Sequence, residues 1–139
     1  MAITQAMCTS FKTEILGGTH DLDTNVIKLA LYTSSATLNA ATTTYSSLNE
    51  ITGTGYTAGG NVLAGAVISA DGTTAIVTFN TTTWSGATFV TRGALIYNSS
   101  QADKAIAVID FGGDQSVSSG DFAVIFPAAN ASDAIIRIS

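Results

Sequence analysis

Residues 91–111, TRGALIYNSSQADKAIAVIDF, decide the fold of this chain. Two apolar runs, at residues 93–97 and 105–111, flank a polar segment at 98–104 whose Asn, Ser and Asp side chains favour turns by bonding to nearby backbone groups. This pattern predicts a β-hairpin. Its strands are apolar on both faces, because Ala and Ile fill the positions between the β-branched and aromatic side chains. Such a hairpin is expected in the middle of a sheet, or beneath a neighbouring subunit.

On the C-terminal side of this hairpin, the sequence predicts a polar turn and two more strands. Glycines, serines and an aspartate make residues 112–120 a turn. Residues 121–126 predict a strand that ends at Pro127, because proline cannot donate a ladder hydrogen bond. Residues 134–138 predict a last short strand.

On its N-terminal side, turn residues separate three more predicted strands. Two alternating runs, residues 62–69 and 74–80, are joined across Asp71 and Gly72, and Asp-Gly between strands is a strong hairpin signal. Residues 84–89 predict a strand with a kink or bulge at Gly86. The glycine-rich block before these strands, ITGTGYTAGG, predicts a tight connection.

The N-terminal third combines one helix, one strand and a long loop. Four apolar side chains recur at the spacing of a helix with one buried stripe: Ile3, Met7, Phe11 and Ile15. They predict a helix over about residues 3–16, and the two glycines that follow suit its C-terminus. Residues 26–32, VIKLALY, predict a strand. Residues 34–49 are interpreted as an ordered loop, with a helical turn around residues 45–50.

Together these elements predict one domain over residues 1–139. About eight strands, from about residue 26 to residue 138, accompany a single short N-terminal helix. We therefore expect a mainly β fold, an antiparallel β-sandwich or a jelly-roll-like barrel, with the order of the strands left open.

The composition of the chain limits the classes of partner that it can bind. Only 11% of the residues are charged and the mean hydropathy is +0.36, against roughly a quarter charged in ordinary soluble domains. No apolar run approaches the roughly 18 residues of a membrane span, so we expect the apolar excess to form a core and contacts with copies of the chain or a larger scaffold. The net charge of -5 argues against nucleic acid as a partner, and the basic residues are scattered: Lys12, Lys28, Arg92, Lys104 and Arg137.

Cys8 is the single cysteine and is interpreted as a buried structural thiol, without a Cys or His neighbour at metal-ligand spacing. The first residues, MAITQAMCTSFK, lack the basic and apolar regions of a secretory signal, so we expect folding in a cytoplasm.

Two acidic segments are the candidates for metal or acid/base chemistry. His20 opens the segment HDLD, which is either a source of such groups or a solvated turn between helix and strand. Asp110, Asp114 and Asp121 bracket a glycine-rich segment and are either ligands of Ca²⁺ or carboxylates of turns and strand ends, since their spacing is not that of an EF-hand. A glycosidase would need two carboxylates at a set separation, which the sequence does not reveal.

Other motifs yield no site. The glycines of GTGYTAGG do not lead from a strand into a helix, as a dinucleotide site requires, and no nucleophile elbow, Walker loop or zinc spacing is present. Tyr45, Tyr56 and Trp84 are either a platform on which a sugar stacks or, for Trp84 at least, part of the core. We therefore assign no catalytic, cofactor-binding or metal-binding residue.

Over nearly its full length, the chain resembles a family of small structural proteins of tailed bacteriophages. Five segments carry the resemblance, in this order: ITQAMCTSFKTEIL, VIKLALYTSSATLN, NEITGTGYTAGG, TRGALIYNSSQADKAIAVIDFG and DQSVSSGDFAVIFP. The resemblance implies a non-enzymatic component of the virion, assembled in the host bacterial cytoplasm.

Within that class, the first expectation is a capsid decoration or cement protein. It would form dimers or trimers and bind another phage structural protein such as the major capsid protein, with no nucleic-acid or membrane partner. The alternative is a tail-associated or fibre protein that presents loops such as residues 34–49 to a host-surface glycan. A small glycan-cleaving enzyme is the third class.

Overall fold

The computed structural model describes residues 2–138. It contains one helix and eight strands: β1 Ala6–Met7, α1 Thr9–Leu16, β2 Ile27–Tyr32, β3 Asn61–Val62, β4 Val67–Asp71, β5 Thr74–Thr78, β6 Thr82–Asn98, β7 Lys104–Val124 and β8 Ile136–Ile138.

The strands form two antiparallel sheets. The large sheet has the order β1-β7-β6-β2-β3 and the small sheet has the order β4-β5-β8. Buried side chains of both sheets belong to one hydrophobic core, which includes Leu95 of the large sheet and Val77 of the small one. The fold is therefore mainly β and fits an antiparallel β-sandwich, as predicted. Within the part of the chain that the structure describes, both sheets have open edges, so these strands do not close into a barrel.

The predicted central hairpin is confirmed. β6 and β7 occupy the interior of the large sheet, with β2 on one side and β1 on the other. Residues 93–98 of β6 and 105–109 of β7 are all buried, on both faces of the sheet. Val108, for example, is 1% exposed and lies opposite Leu95. Covering both faces leaves no position for a solvated side chain, which is why the two apolar runs lack polar alternation.

The hairpin is much longer than predicted. Residues 112–120, predicted as a polar turn, are part of β7, and the strand predicted at residues 84–89 is continuous with the central strand as β6. Thr91 lies opposite Gln115 and Trp84 lies opposite Phe122, with irregularities in register between these pairs. The polar residues extend the ladder because a partner strand of similar length satisfies their backbone groups. The kink predicted at Gly86 is present, with a φ of 57° between two shifted pairs.

The helix is shorter than predicted. Residues 3–16 were expected to be helical, but α1 begins at Thr9, and Ala6 and Met7 pair instead with Val108 and Ala107 of β7. The open edge of β7 offers these residues backbone partners, and this tertiary pairing overrides the helical periodicity. The C-terminus of the helix is as predicted, since Gly18 adopts a left-handed φ of 76°.

The Asp-Gly hairpin is confirmed, but the run before it is divided. Asp71 of β4 lies opposite Thr74 of β5. The run predicted as one strand at residues 62–69 separates into β3, in the large sheet, and β4, in the small sheet. Residues 34–49 form the expected long loop, and residues 45–50 contain a turn without a helix. The last strand begins at Ile136 rather than at residue 134.

Candidate functional site

His20 belongs to a buried hydrogen-bond network. Its Nε2 lies 2.9 Å from Oε1 of Glu14, and its Nδ1 lies 3.0 Å from Nδ2 of Asn98. Oδ1 of Asn98 accepts from the backbone N–H of Ser100, which orients the amide so that Nδ2 faces the imidazole. Nδ1 of His20 therefore accepts a hydrogen bond and Nε2–H donates one to Glu14. With both nitrogens engaged inside the protein, the imidazole has a structural role here.

Glu14 connects this network to the central hairpin. Its second oxygen accepts from Nζ of Lys104 at 3.2 Å. Partial burial raises the pKa of Glu14, but the hydrogen bonds from His20 and Lys104 outweigh it and hold that pKa below its ordinary value. The rest of HDLD is a turn, in which Asp21 accepts from the backbone N–H groups of Asp23 and Thr24.

Asp110, Asp114 and Asp121 do not come together. They lie along β7, where a straight strand would place the first and last roughly 35 Å apart. Asp110 is 3.5 Å from Nε of Arg92 and accepts from the backbone N–H of Gly112. Within residues 2–138, no group of three or more His, Cys, Asp or Glu side chains is arranged to hold a metal ion.

The three aromatic residues considered as a sugar platform are not exposed together. Trp84 is only 3% exposed and contacts Tyr56, with ring centroids 6.1 Å apart, and Phe122 at the same separation. Tyr45 instead stacks on Tyr97, with ring centroids 4.7 Å apart. Trp84 therefore belongs to the core between β6, β7 and the 51–60 connection. Of the two interpretations of Trp84, sugar platform or core, the structure supports the core.

Glu50 is the centre of a cluster that the sequence did not reveal. Its carboxylate accepts from Tyr45 Oη at 2.6 Å, from Tyr56 Oη at 2.5 Å and from the backbone N–H of Gly59 at 2.7 Å. Burial, and then the hydrogen bond to the carboxylate, raise the pKa values of both phenols above their ordinary value. Tyr97 donates to the carbonyl of Gly59 at 2.6 Å. These hydrogen bonds attach residues 45–60 to the large sheet. The spacing of Tyr45, Glu50, Tyr56 and Tyr97 in the sequence does not predict that they meet.

A pocket of about 390 Å³ opens beside this cluster, in the loop predicted at residues 34–49. None of the described residues that line it is charged, and their polar groups are hydroxyls and amides: Tyr32, Thr37, Asn39, Thr42, Thr43, Thr44, Ser46 and Asn49. An uncharged, hydroxyl-bearing cavity of this size suits a neutral polar ligand better than an ion.

An apolar groove, which we call the α1 groove, lies between α1 and the small sheet. It consists of two adjacent cavities, of about 410 and 370 Å³, that share Phe11, Ile15 and Ile138. Ile68 lines the first cavity and is 53% exposed, Leu16 lines the second and is 89% exposed, and Ile138, which lines both, is 46% exposed. Large aliphatic side chains gathered at a groove are typical of a protein-protein contact.

The edge strand of the small sheet is also exposed. Every residue of β4 is exposed, including Val67 and Ile68, and among the strands of residues 2–138 β4 pairs only with β5. The strand has neither the lysine nor the proline with which many edge strands resist pairing with other chains. The α1 groove and β4 are therefore the surfaces that we expect another chain to cover.

Cys8 is fully buried at the N-terminus of α1. Burial, with a smaller contribution from the negative charge of Glu14, raises the pKa of its thiol to about 11. A thiol in this environment is a weak nucleophile, and the predicted burial of Cys8 is confirmed.

Comparisons of the chain with models of protein families, with curated proteins and with solved structures found no match. No helix within residues 2–138 is long and apolar enough to cross a membrane.

Proposed function

We propose that this protein is a non-enzymatic structural subunit of a tailed-bacteriophage virion, and that it decorates the capsid. The observation that carries the proposal is the exposed aliphatic surface of the α1 groove and of β4 on a domain with few charges. Exposed aliphatic patches and unprotected strand edges favour burial against other chains. The resemblance of the five sequence segments to small phage structural proteins supports the virion as the place of that burial.

The described polar clusters favour a structural role over turnover. His20 and Glu14 bond to each other and to the central hairpin, and Glu50 bonds to two tyrosines of its own chain. The hydrogen bonds of each group connect one segment of the chain to another and so stabilise the fold. A stable fold of this kind suits a decoration protein. Such a protein adds contact area between capsid subunits, and this area resists the pressure of packaged DNA.

The test is the copy number of the protein in purified virions, measured by quantitative mass spectrometry against the major capsid protein. A decoration protein is present in numbers comparable with the capsid subunit. A copy number near that of a tail ring or fibre would overturn the capsid location, and absence from virions would overturn the virion role altogether.

The second candidate is a tail-associated or fibre protein that binds a host-surface glycan, which the uncharged pocket beside Tyr32 favours. Neutral sugars present hydroxyl groups that pair with threonine, serine and asparagine side chains. Binding of the purified protein to host cell-surface glycans, lost in Thr43→Val and Thr44→Val variants that retain the fold, would support this candidate. Equal binding by these variants would place any glycan contact elsewhere.

A further inference from the structure

One end of the α1 groove is cationic. Lys12 and Arg137 line the cavity that contains Leu16, and no carboxylate of residues 2–138 forms an ion pair with Lys12. Arg137 is held in place by donating to the carbonyl groups of Ala131 and Ser132. The partner that fits this groove is therefore apolar along most of its length and acidic at one end.

The distal end of β7 has this combination. Asp121 and Ala123 are exposed on the face of β7 opposite Phe122, and Ile125, which follows the strand, is 76% exposed. Within the described residues, Asp121 is in no ion pair, and β7 at this end pairs only with β6. Four residues of extended chain place Asp121 roughly 13 Å from Ile125, so this end of β7 offers an aliphatic side chain and a carboxylate that are separated along one strand face.

We propose that the α1 groove binds the distal end of β7 from a second copy of this chain. Ile125 of that copy lies among the aliphatic side chains of the groove, and its Asp121 pairs with Lys12. The net charge of -5 makes a second copy a suitable partner for a cationic groove end, because charge complementarity orients the two chains and speeds their encounter. This inference rests on the assembly role proposed above.

The contact joins two different surfaces of the chain, the groove of one copy and the β7 end of another. Two copies that exchange both contacts form a symmetric dimer. Repetition of the contact in one direction instead closes into a ring, such as a trimer, or propagates as a chain.

A charge-reversal cycle followed by sedimentation velocity tests the proposal on the full chain. We expect the wild type to associate, and Lys12→Glu and Asp121→Lys each to weaken association by roughly tenfold or more. Combining the two reversals should restore most of the lost association, because the ion pair re-forms with its two charges exchanged. Circular dichroism and thermal unfolding of each variant establish that it is folded.

Asp114→Lys is the matched control, because it makes the same charge change at an exposed position of the same strand. It should leave association within about twofold of the wild type. Three results would overturn the proposal: a monomeric wild type at all concentrations, a double variant as weak as the single ones, or a loss in Asp114→Lys equal to that in Asp121→Lys.

The outcomes separate this contact from the virion role. A protein that is abundant in virions but monomeric in solution retains the proposed function and loses this contact. A charge-dependent oligomer that is absent from virions retains the contact and loses the virion function.

Discussion

The side chains of Tyr97 and Asn98, consecutive in β6, anchor opposite faces of the large sheet. The hydroxyl of Tyr97 donates to the carbonyl of Gly59 at 2.6 Å, whereas Nδ2 of Asn98 donates to Nδ1 of His20 at 3.0 Å. Successive side chains of a strand point to opposite faces, so one dipeptide fixes the glycine-rich connection on one side and the helix-to-strand turn on the other. The central hairpin therefore positions the loops as well as the core.

The first prediction concerns the buried centre of the hairpin. Val108→Asp should lower the free energy of unfolding by at least about 3 kcal/mol, because it places an unpaired carboxylate at a position that is 1% exposed. Urea unfolding followed by the fluorescence of Trp84, the single tryptophan, measures the change. Val90→Asp on the neighbouring strand is the control, since Val90 is 51% exposed and should change stability by no more than about 0.5 kcal/mol. A Val108→Asp protein with wild-type stability would contradict the central role of the hairpin.

The second prediction concerns the buried amide. Asn98→Ala should cost about 2 kcal/mol or more, because it leaves Nδ1 of His20 and the N–H of Ser100 without their partner and removes one of the two hydrogen bonds that Oδ1 of Asn25 accepts. Chemical denaturation of the variant measures this cost. Gln115→Ala removes an amide from an exposed position of β7 and should be nearly neutral. Equal effects of the two substitutions would show that the His20 network does not stabilise the fold.

The third prediction concerns the approach of the glycine-rich connection to β2. Gly60 has a φ of 80°, and a Cβ there would lie 1.8 Å from the carbonyl oxygen of Leu29. Gly60→Ala should therefore cost at least about 2 kcal/mol, from the clash and from the left-handed backbone. Gly113→Ala is the control, because nothing lies within 4 Å of a Cβ there, and its thermal midpoint should match that of the wild type. Tolerance of alanine at residue 60 would show that the connection is not packed this closely.

The fourth prediction concerns alkaline pH. Burial raises the pKa values of all four tyrosines, that of Tyr97 to about 12, and the charge of Glu50 adds to the shift in each. In the unfolded chain these phenols titrate near their ordinary value of about 10. Between these values the folded state binds more protons, so the stabilisation is complete below about pH 10 and is lost as the pH rises towards 12. Tyrosine absorbance near 295 nm and the thermal midpoint, followed together with pH, measure this loss.

A protein unfolded in urea provides the reference titration for these phenols. In the folded protein we expect little tyrosinate near pH 10 and a cooperative rise when the structure unfolds. A gradual titration of the folded protein with an apparent pKa near 10 would contradict the burial of the Tyr45 and Tyr56 hydroxyl groups against Glu50.

Local signals in the sequence were sufficient for much of the fold. The paired apolar runs predicted a central hairpin, Asp71 and Gly72 predicted a tight hairpin, and Gly86 predicted a kink. Each depends on the conformational preference of a few adjacent residues or on a period of two along a strand. In these three segments the tertiary pairing agrees with the local preference, so each prediction is confirmed.

The sequence was misleading where a distant segment decides the outcome. The composition of residues 112–120 predicts a turn, but β6 lies alongside them and pairs with them. Residues 3–8 have helical periodicity, but the open edge of β7 takes Ala6 and Met7 into the sheet. The segment 62–69 alternates as one strand, yet its two ends pair in different sheets.

The sequence by itself determined a mainly β fold with a buried central hairpin, because alternation and turn chemistry are local properties of the chain. Only the tertiary structure decided which polar groups meet. Asn98 bonds to His20 across 78 positions of the sequence, and Glu50 gathers Tyr45 and Tyr56 from both of its sides. Whether a carboxylate, an imidazole or an aliphatic side chain is exposed or buried depends on what packs against it, and that packing is a property of the whole fold.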